Sequence, residues 1–307
     1  MKVLMISGDP NLLKNGSAVR ERHSMLVDVV GCLDVFVWPS AHGIAEIWRA
    51  ARQNRYDVIT AQDPFWRGML GWLVARGTGA RLNLQLHADL DGQSLSKRLL
   101  ARFSLRRADS IRVVSERTKA QVMRLNVRTR ITVLPVFIEV HRMQDETRTS
   151  HPRFARTILW IGRFEREKDP LAALEILREV LKTYPTAGLI MLGSGSLESQ
   201  VKDTAQDLPI EFPGWQNPGP YFALSDVVVS TSSHESFGAS IVEALAAGVP
   251  VVAPDVGIAR EAGAFVVPRC ELAAKVSDVL SNPVRGKLLL NLPSAEEWGK
   301  QWRESLV

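Results

Sequence analysis

Cysteine is nearly missing from this chain: its 307 residues include two, Cys32 and Cys270, far apart in sequence. That spacing excludes a disulfide framework and a thiolate metal site, and it fits a reducing compartment. No apolar run approaches the roughly 20 residues that a membrane-spanning helix needs. The opening Met1-Lys2-Val3-Leu4-Met5-Ile6 is too short for a secretory signal. The expectation is a cytoplasmic protein whose membrane contact, where there is any, is peripheral on the inner face. Low-complexity tracts and repeats of solenoid length are also missing, which excludes repeat architectures.

What is present is the balance of an ordinary globular protein, with 46% hydrophobic and 23% charged residues. The length suggests two domains of about 150 residues each. Lys and Arg number 38 against 33 Asp and Glu, a net +5 that favours anionic partners. Charge alone leaves phosphates, membranes and nucleic acid equally open.

Short β-rich runs at Val3–Ser7, Val35–Trp38, Val58–Ala61, Arg81–His87 and Ser110–Ser115 alternate with longer periodic segments. A polar stretch, Gln144–Arg156 with Pro152, reads as a connection. The alternation then resumes with strands expected at Thr157–Ile161, Gly188–Leu192, Ile210–Phe212, Val227–Ser230 and Val249–Ala253, and helices at Pro170–Lys182 and Ser240–Ala247. This pattern predicts two doubly wound α/β domains, 1–150 and 151–290, each a parallel sheet covered by helices, followed by a final helix in 291–307. Ligands of such sheets bind beyond the carboxyl ends of strands, which directs attention to those loops.

The most informative segment is His234-Glu235-Ser236-Phe237-Gly238-Ala239-Ser240, continuing through Glu243 to Gly248-Val249-Pro250-Val251-Val252-Ala253. A carboxylate accepts hydrogen bonds from vicinal hydroxyls, and a glycine at a helix start allows phosphate to approach backbone N–H groups. Without that context, Glu235 and Glu243 would read as solvated helix-face charges. Upstream, Trp160-Ile161-Gly162-Arg163-Phe164-Glu165-Arg166-Glu167-Lys168-Asp169 runs from a strand into a loop with paired cations, or by itself a solvated basic turn. Asn15-Gly16-Ser17 follows the first strand and offers either a phosphate-facing loop or an ordinary helix cap at Ser17. Leu84-Gln85-Leu86-His87-Ala88-Asp89-Leu90-Asp91 ends a strand in a histidine, a residue more often structural when alone. Gly193-Ser194-Gly195, Gly214, and Gly257 with Glu261 mark further turns. No third glycine follows Gly195, so the dinucleotide fingerprint is not met.

Together these segments resemble the retaining GT-B glycosyltransferases of the family-four type. The resemblance implies two Rossmann-like domains with a donor cleft between them, and a nucleotide-sugar (UDP or GDP) as substrate. It maps the diphosphate clamp to Arg163 and Lys168, the donor-sugar contact to Glu235, ribose binding to Glu243, and a sugar-side histidine to His87. Donor-facing backbone would come from Gly16, Ser17, Gly162, Gly193, Gly214, Ser236, Phe237, Gly238 and Ala239. The implied acceptor is a hydroxyl of a glycan or lipid-linked intermediate, with no nucleic-acid partner, no cofactor and no metal. Trp298 and Trp302 would lie in the helix that in relatives returns to the first domain.

The sequence departs from the family at three places. Asp169 stands where a glycine is usual, a single Gly16 replaces a pair, and Leu134-Pro135-Val136-Phe137 replaces Pro-Asn-Gly. Asp89-Leu90-Asp91 spells a metal-binding Asp-x-Asp, a short match that the GT-B pattern makes superfluous. Leu95, Leu99 and Phe103 form a stripe in a segment with five cations, which fits either an anionic membrane surface or a buried helix with a solvated basic face. A non-catalytic sugar-nucleotide-binding subunit is the alternative to the transferase. A nicotinamide oxidoreductase shares the fold class but lacks its fingerprint.

Overall fold

In the computed structural model, residues 1–13, 18–139 and 149–307 are described. They divide into two compact units, Met1–Phe137 with Pro293–Val307, and Ile138–Leu292. The expected connection at Gln144–Arg156 overlaps 140–148, which lie outside the described residues, as do Gly16 and Ser17.

In the first unit the elements run β1 (Lys2–Ser7), α1 (Ala18–Val30), β2 (Cys32–Val37), α2 (Ile44–Asn54), β3 (Val58–Ala61), α3 (Trp66–Thr78), β4 (Arg81–Leu86), α4 (Leu95–Leu105), β5 (Ser110–Val113), α5 (Glu116–Met123) and β6 (Arg130–Val133). Among the described residues these strands form one six-stranded parallel sheet, ordered β2-β1-β3-β4-β5-β6. Buried on both faces, β3 and β5 read as continuous runs rather than as alternation.

Within the second unit follow β7 (Arg156–Ile161), α6 (Pro170–Leu181), β8 (Ala187–Leu192), α7 (Glu198–Thr204), β9 (Ile210–Gly214), α8 (Gly219–Ala223), β10 (Val227–Val229), α9 (Ala239–Ala246), β11 (Val251–Ala253), α10 (Ala259–Ala262), β12 (Phe265–Val266) and α11 (Leu272–Ser281). Its parallel sheet is ordered β12-β11-β10-β7-β8-β9. The chain steps outward from β7 to β9, then restarts on the other side of β7 with β10. That reversal opens a crevice at the carboxyl ends of β7 and β10, where open α/β sheets bind ligands. Ile158, Leu174, Leu189, Val227, Val252 and Val276 belong to the core cluster of this unit.

The last helix, α12 (Ala295–Ser305), belongs to the first unit. Its start is fixed by a capping box, in which Ser294 Oγ accepts from Glu297 N and the Glu297 carboxylate accepts from Ser294 N. Trp298 and Trp302 are buried with Val3, Met5 and Leu26. Beside this helix the sheet carries a buried polar network. Thr60 Oγ1 donates to Asn83 Oδ1 at 2.8 Å, and Asn83 Nδ2 donates to Ser110 Oγ at 2.9 Å and to the Ser305 carbonyl at 2.8 Å. Every such group needs a partner inside a protein, so the network fixes how α12 seats on the sheet.

Among the described residues no helix is long and apolar enough to cross a membrane. In α4 the buried side chains are Ala101, Ser104 and Leu105, whereas Leu95 is 72% and Leu99 58% exposed. The leucines of the stripe read from sequence therefore face outward.

Candidate functional site

The site is built on the two loops at the switch point of the second sheet. β7 and β8 run in register from Arg156↔Ala187 to Ile161↔Leu192, so their following loops start side by side. Gly162 N donates to the Leu192 carbonyl at 3.0 Å, Gly193 N to the Gly214 carbonyl at 2.9 Å, and Phe164 N to the Ser194 carbonyl at 2.9 Å. Gly193 has φ +138, and a Cβ there would lie 1.8 Å from the Gly162 carbonyl oxygen. Only glycine lets these loops interlock. Glu165 reinforces the contact by accepting from Ser196 N at 3.0 Å and Ser196 Oγ at 2.7 Å. These bonds, led by the one from the Ser196 hydroxyl, hold its carboxyl below the ordinary glutamate value.

The loop after β10 zips onto the loop after β7. Ser233 N donates to the Glu167 carbonyl at 2.8 Å, and Thr231 Oγ1 lies 2.7 Å from the Lys168 carbonyl and 2.8 Å from that of Asp169. The same hydroxyl accepts from Trp160 Nε1 at 2.8 Å. These backbone ties bring Lys168 Nζ onto Glu235 Oε1 as an ion pair, with the side chains 18% and 12% exposed. Ser232 Oγ donates to the same oxygen at 2.8 Å. A charge pair this far out of water persists because each partner neutralises the other and a hydroxyl adds a further bond.

Arg163 sits at the rim, 62% exposed, its Nη2 2.7 Å from Glu167 Oε1. Such an exposed pair contributes roughly 0–1 kcal/mol and exchanges readily for a more highly charged anion. Gly238, with φ 94, caps α9, and its left-handed conformation turns the chain from the Glu235 loop into the helix. The side chain of Phe237 is buried and its carbonyl accepts from Ile258 N at 3.0 Å, so it supports the loop from within the core. Ser236, Ala239 and Glu243 are half-buried around this helix start and first turns.

Thus Gly162, Arg163, Lys168, Gly193, Gly214, Glu235 and the start of α9 line the carboxyl edge of one sheet. His87 belongs to the other unit, exposed just past β4. Its Nε2 lies 3.5 Å from Nη1 of Arg112, a guanidinium 3% exposed within the first sheet. Arg112 donates to Gln85 Oε1 at 2.9 Å and to the Leu134 and Pro135 carbonyls at 3.1 and 2.9 Å, and it faces the Trp298 ring at 5.1 Å. Burial lowers its pKa to about 9, which leaves it cationic at neutral pH. The Asp-x-Asp carboxylates are engaged in their own loop. Asp89 Oδ1 accepts from Asp91 N and Gln121 Nε2, each at 2.8 Å, and Asp91 Oδ2 from Arg124 Nη2 at 2.6 Å.

Sequence reading missed Thr231, Ser232, Ser233, Glu165 and Arg112. The run Thr231-Ser232-Ser233 directly after an apolar strand was one available signal. A lone cation inside Ile111-Arg112-Val113 was another.

A doubly wound sheet with paired cation and carboxylate at its switch point, beside a glycine-capped helix, defines a Rossmann-like site suited to an anionic, hydroxyl-bearing ligand. Comparison with known proteins places it further. The family described as glycosyl transferases group 1 matches residues 155–282, and the glycosyl transferase 4-like domain matches 17–136. Between them the two span most of the chain, which belongs to the group 1 glycosyltransferases. It is 25% identical over 240 residues to the alpha-monoglucosyldiacylglycerol synthase of Streptococcus pneumoniae, covering 69% of this chain and 54% of the relative. To the 2-deoxystreptamine N-acetyl-D-glucosaminyltransferase of Streptomyces fradiae it is 27% identical over 278 residues, covering 76% and 66%. The chain thus spans about half to two thirds of the length of these relatives. Among solved structures, sucrose-phosphate synthase from Thermosynechococcus elongatus superposes with a TM-score of 0.76 at 16% identity, covering 100% of this chain and 95% of the other. Anabaena Alr3699/HepE, in complex with UDP and glucose, gives 0.73 at 17%, with 100% and 95% covered. At these identities the likeness is one of fold.

Proposed function

We propose that the chain is a retaining glycosyltransferase that moves a sugar from a UDP- or GDP-sugar to a hydroxyl of a glycan or lipid-linked acceptor, without a metal or other cofactor. The observation that carries this reading is the Lys168–Glu235 pair at the switch point of the second sheet, with Arg163 and the Gly238-capped start of α9 in the same pair of loops. In this reading Arg163, Lys168 and the helix terminus take the diphosphate, Glu235 a donor-sugar hydroxyl, and Glu243 the ribose. Gly16 and Ser17 would meet the phosphates and His87 a sugar hydroxyl.

The bond from the anomeric carbon to the phosphate oxygen breaks, and its electron pair leaves with the diphosphate. The acceptor oxygen bonds to that carbon from the same face, and its proton passes to the departing phosphate oxygen. Arg163, Lys168 and the positive end of α9 stabilise the charge that develops there. Glu235 is already committed to Lys168 and Ser232, which argues against a carboxylate nucleophile. The commitment of Asp89 and Asp91 to Gln121 and Arg124 favours a structural role for the Asp-x-Asp.

The test is to incubate the chain with a panel of nucleotide sugars and acceptors, with chelator present, and read the first-formed linkage by NMR. Retention at the anomeric carbon is expected. Inversion would overturn the mechanism, strict metal dependence would return Asp89 and Asp91 to the chemistry, and binding without turnover on any donor would mark a non-catalytic subunit.

Membrane attachment is a second part of the proposal. Leu95 and Leu99 face outward on α4, Trp66 is exposed at the start of α3, and Lys97 Nζ lies 5.7 Å from the Phe65 ring centre. Apolar side chains among Lys97, Arg98 and Arg102 suit an anionic bilayer surface on the cytoplasmic side. Replacing Leu95 and Leu99 with serine should abolish sedimentation with anionic vesicles at low salt. Equal sedimentation of the variant and the parent would refute this surface.

A further inference from the structure

Asp169 occupies a left-handed backbone conformation, φ 47 and ψ 62, at the start of α6. That region disfavours a side chain, and the side chain here is an anion one residue from Lys168. Unopposed, it would both strain the turn and place negative charge beside a cation meant for phosphate. The structure supplies a counterpart from the edge strand of the same sheet. Arg269, just after β12, donates through Nη2 to Asp169 Oδ2 and through Nη1 to the Thr231 carbonyl. It therefore grips both loops of the site at once, on the two residues whose own contacts already join them. Thr231 Oγ1 reaches the Lys168 and Asp169 carbonyls, and Asp169 N reaches the Glu165 carbonyl at 3.2 Å.

We infer that Arg269 is a positioning residue for Lys168, and that Asp169 and Arg269 act as one unit replacing the conformational freedom of a glycine. This rests on the reading of Lys168 as a diphosphate ligand. The guanidinium offsets the Asp169 charge and holds the turn that aims Lys168 at Glu235 in the free protein and at the anion in the bound one. Neither residue touches substrate in this scheme. Two consequences set it apart from general stabilisation. Losing Arg269 alone leaves a strained and uncompensated carboxylate, whereas losing the carboxylate together with it, through Asp169→Gly, removes both the strain and the charge.

The experiment compares the parent chain with Arg269→Gln, Asp169→Gly and the double variant, using calorimetry with UDP and GDP and amide hydrogen exchange across 163–169. Arg269→Gln is expected to raise the nucleotide Kd about tenfold, the effect of one charge-assisted contact, and to speed exchange at Lys168 and Asp169. Asp169→Gly alone should stay near the parent, and the double variant should return towards it in both readouts. A double variant as impaired as Arg269→Gln, or an Arg269→Gln chain with unchanged exchange, overturns the inference. If the parent binds neither nucleotide, the diphosphate reading fails, and the exchange pattern still decides whether the Asp169–Arg269 unit sets the turn.

Discussion

The two sheets solve one packing problem with opposite placements of buried polarity. In the first unit Thr60, Asn83, Gln85, Ser110 and Arg112 sit in mid-sheet and bond to one another under α12, with Arg112 Nε alone of the guanidinium nitrogens left without a partner. In the second, the sheet interior is apolar apart from Thr157 at the start of β7, and Thr231 and Ser232 are buried at the carboxyl edge beside Lys168 and Glu235. A connected network in mid-sheet specifies a fold, since any lost member leaves partners stranded. Charges paired with each other in the loops at a sheet edge, outside the sheet itself, can change partner when a ligand arrives. The buried cation of the first unit is therefore read as structural, and the pair in the second as functional.

The largest effect should come from Lys168→Ala. On the proposed reading it removes one cation from the leaving diphosphate, and it is expected to lower kcat/KM by about 10²- to 10³-fold, while the circular dichroism spectrum stays that of the parent. A variant that unfolds instead would erase the distinction drawn between the two sheets. Next in size, Arg112→Ala should cost about 2–4 kcal/mol of stability, because Gln85 and the Leu134 and Pro135 carbonyls lose their donor. Urea denaturation reads this, and UDP affinity should hold within about twofold. A large affinity loss without destabilisation would move Arg112 into the site.

The smallest effect concerns Glu165. Its carboxyl titrates below the ordinary value in the folded chain, so its bonds to Ser196 contribute fully above the unfolded glutamate pKa and fade as pH falls through the lower, folded one. Carbon-13 NMR of the Glu165 carboxyl should place its midpoint below the ordinary glutamate value. A midpoint at or above that value would mean the tie between the loops after β7 and β8 is not formed in solution.

Much of this was legible in the residues. The expected strands at Val58–Ala61 and Thr157–Ile161 match β3 and β7 to within a residue, and Ser240–Ala247 matches α9 shifted by one. These segments are mostly apolar or glycine-bounded, so local signal and tertiary demand agree. β6 at Arg130–Val133 and β12 at Phe265–Val266 were not foreseen, the first being only partly buried and the second two residues long. Glu235, Lys168 and Gly238 were singled out by the resemblance of their segments to a known family. Arg112 and Arg269 did not, because a cation's burial or its partner in another loop depends on contacts far away in the chain. The stripe of Leu95, Leu99 and Phe103 shows the limit from the other side: periodicity found an apolar face, and α4 turned Ala101 and Leu105 inward instead.

The first unit is discontinuous, closed by α12 from the far end of the chain. As the polypeptide leaves the ribosome, Ile138–Leu292 is all in hand before Pro293–Val307 has been made. Until then Val3 and Met5 lack Trp302, Asn83 lacks the Ser305 carbonyl, and Arg112 lacks the face of Trp298. The part translated first is therefore the part completed last. A nascent chain stalled just before Trp298 would present an unfinished sheet to chaperones and proteases while the second unit, Ile138–Leu292, had already been made.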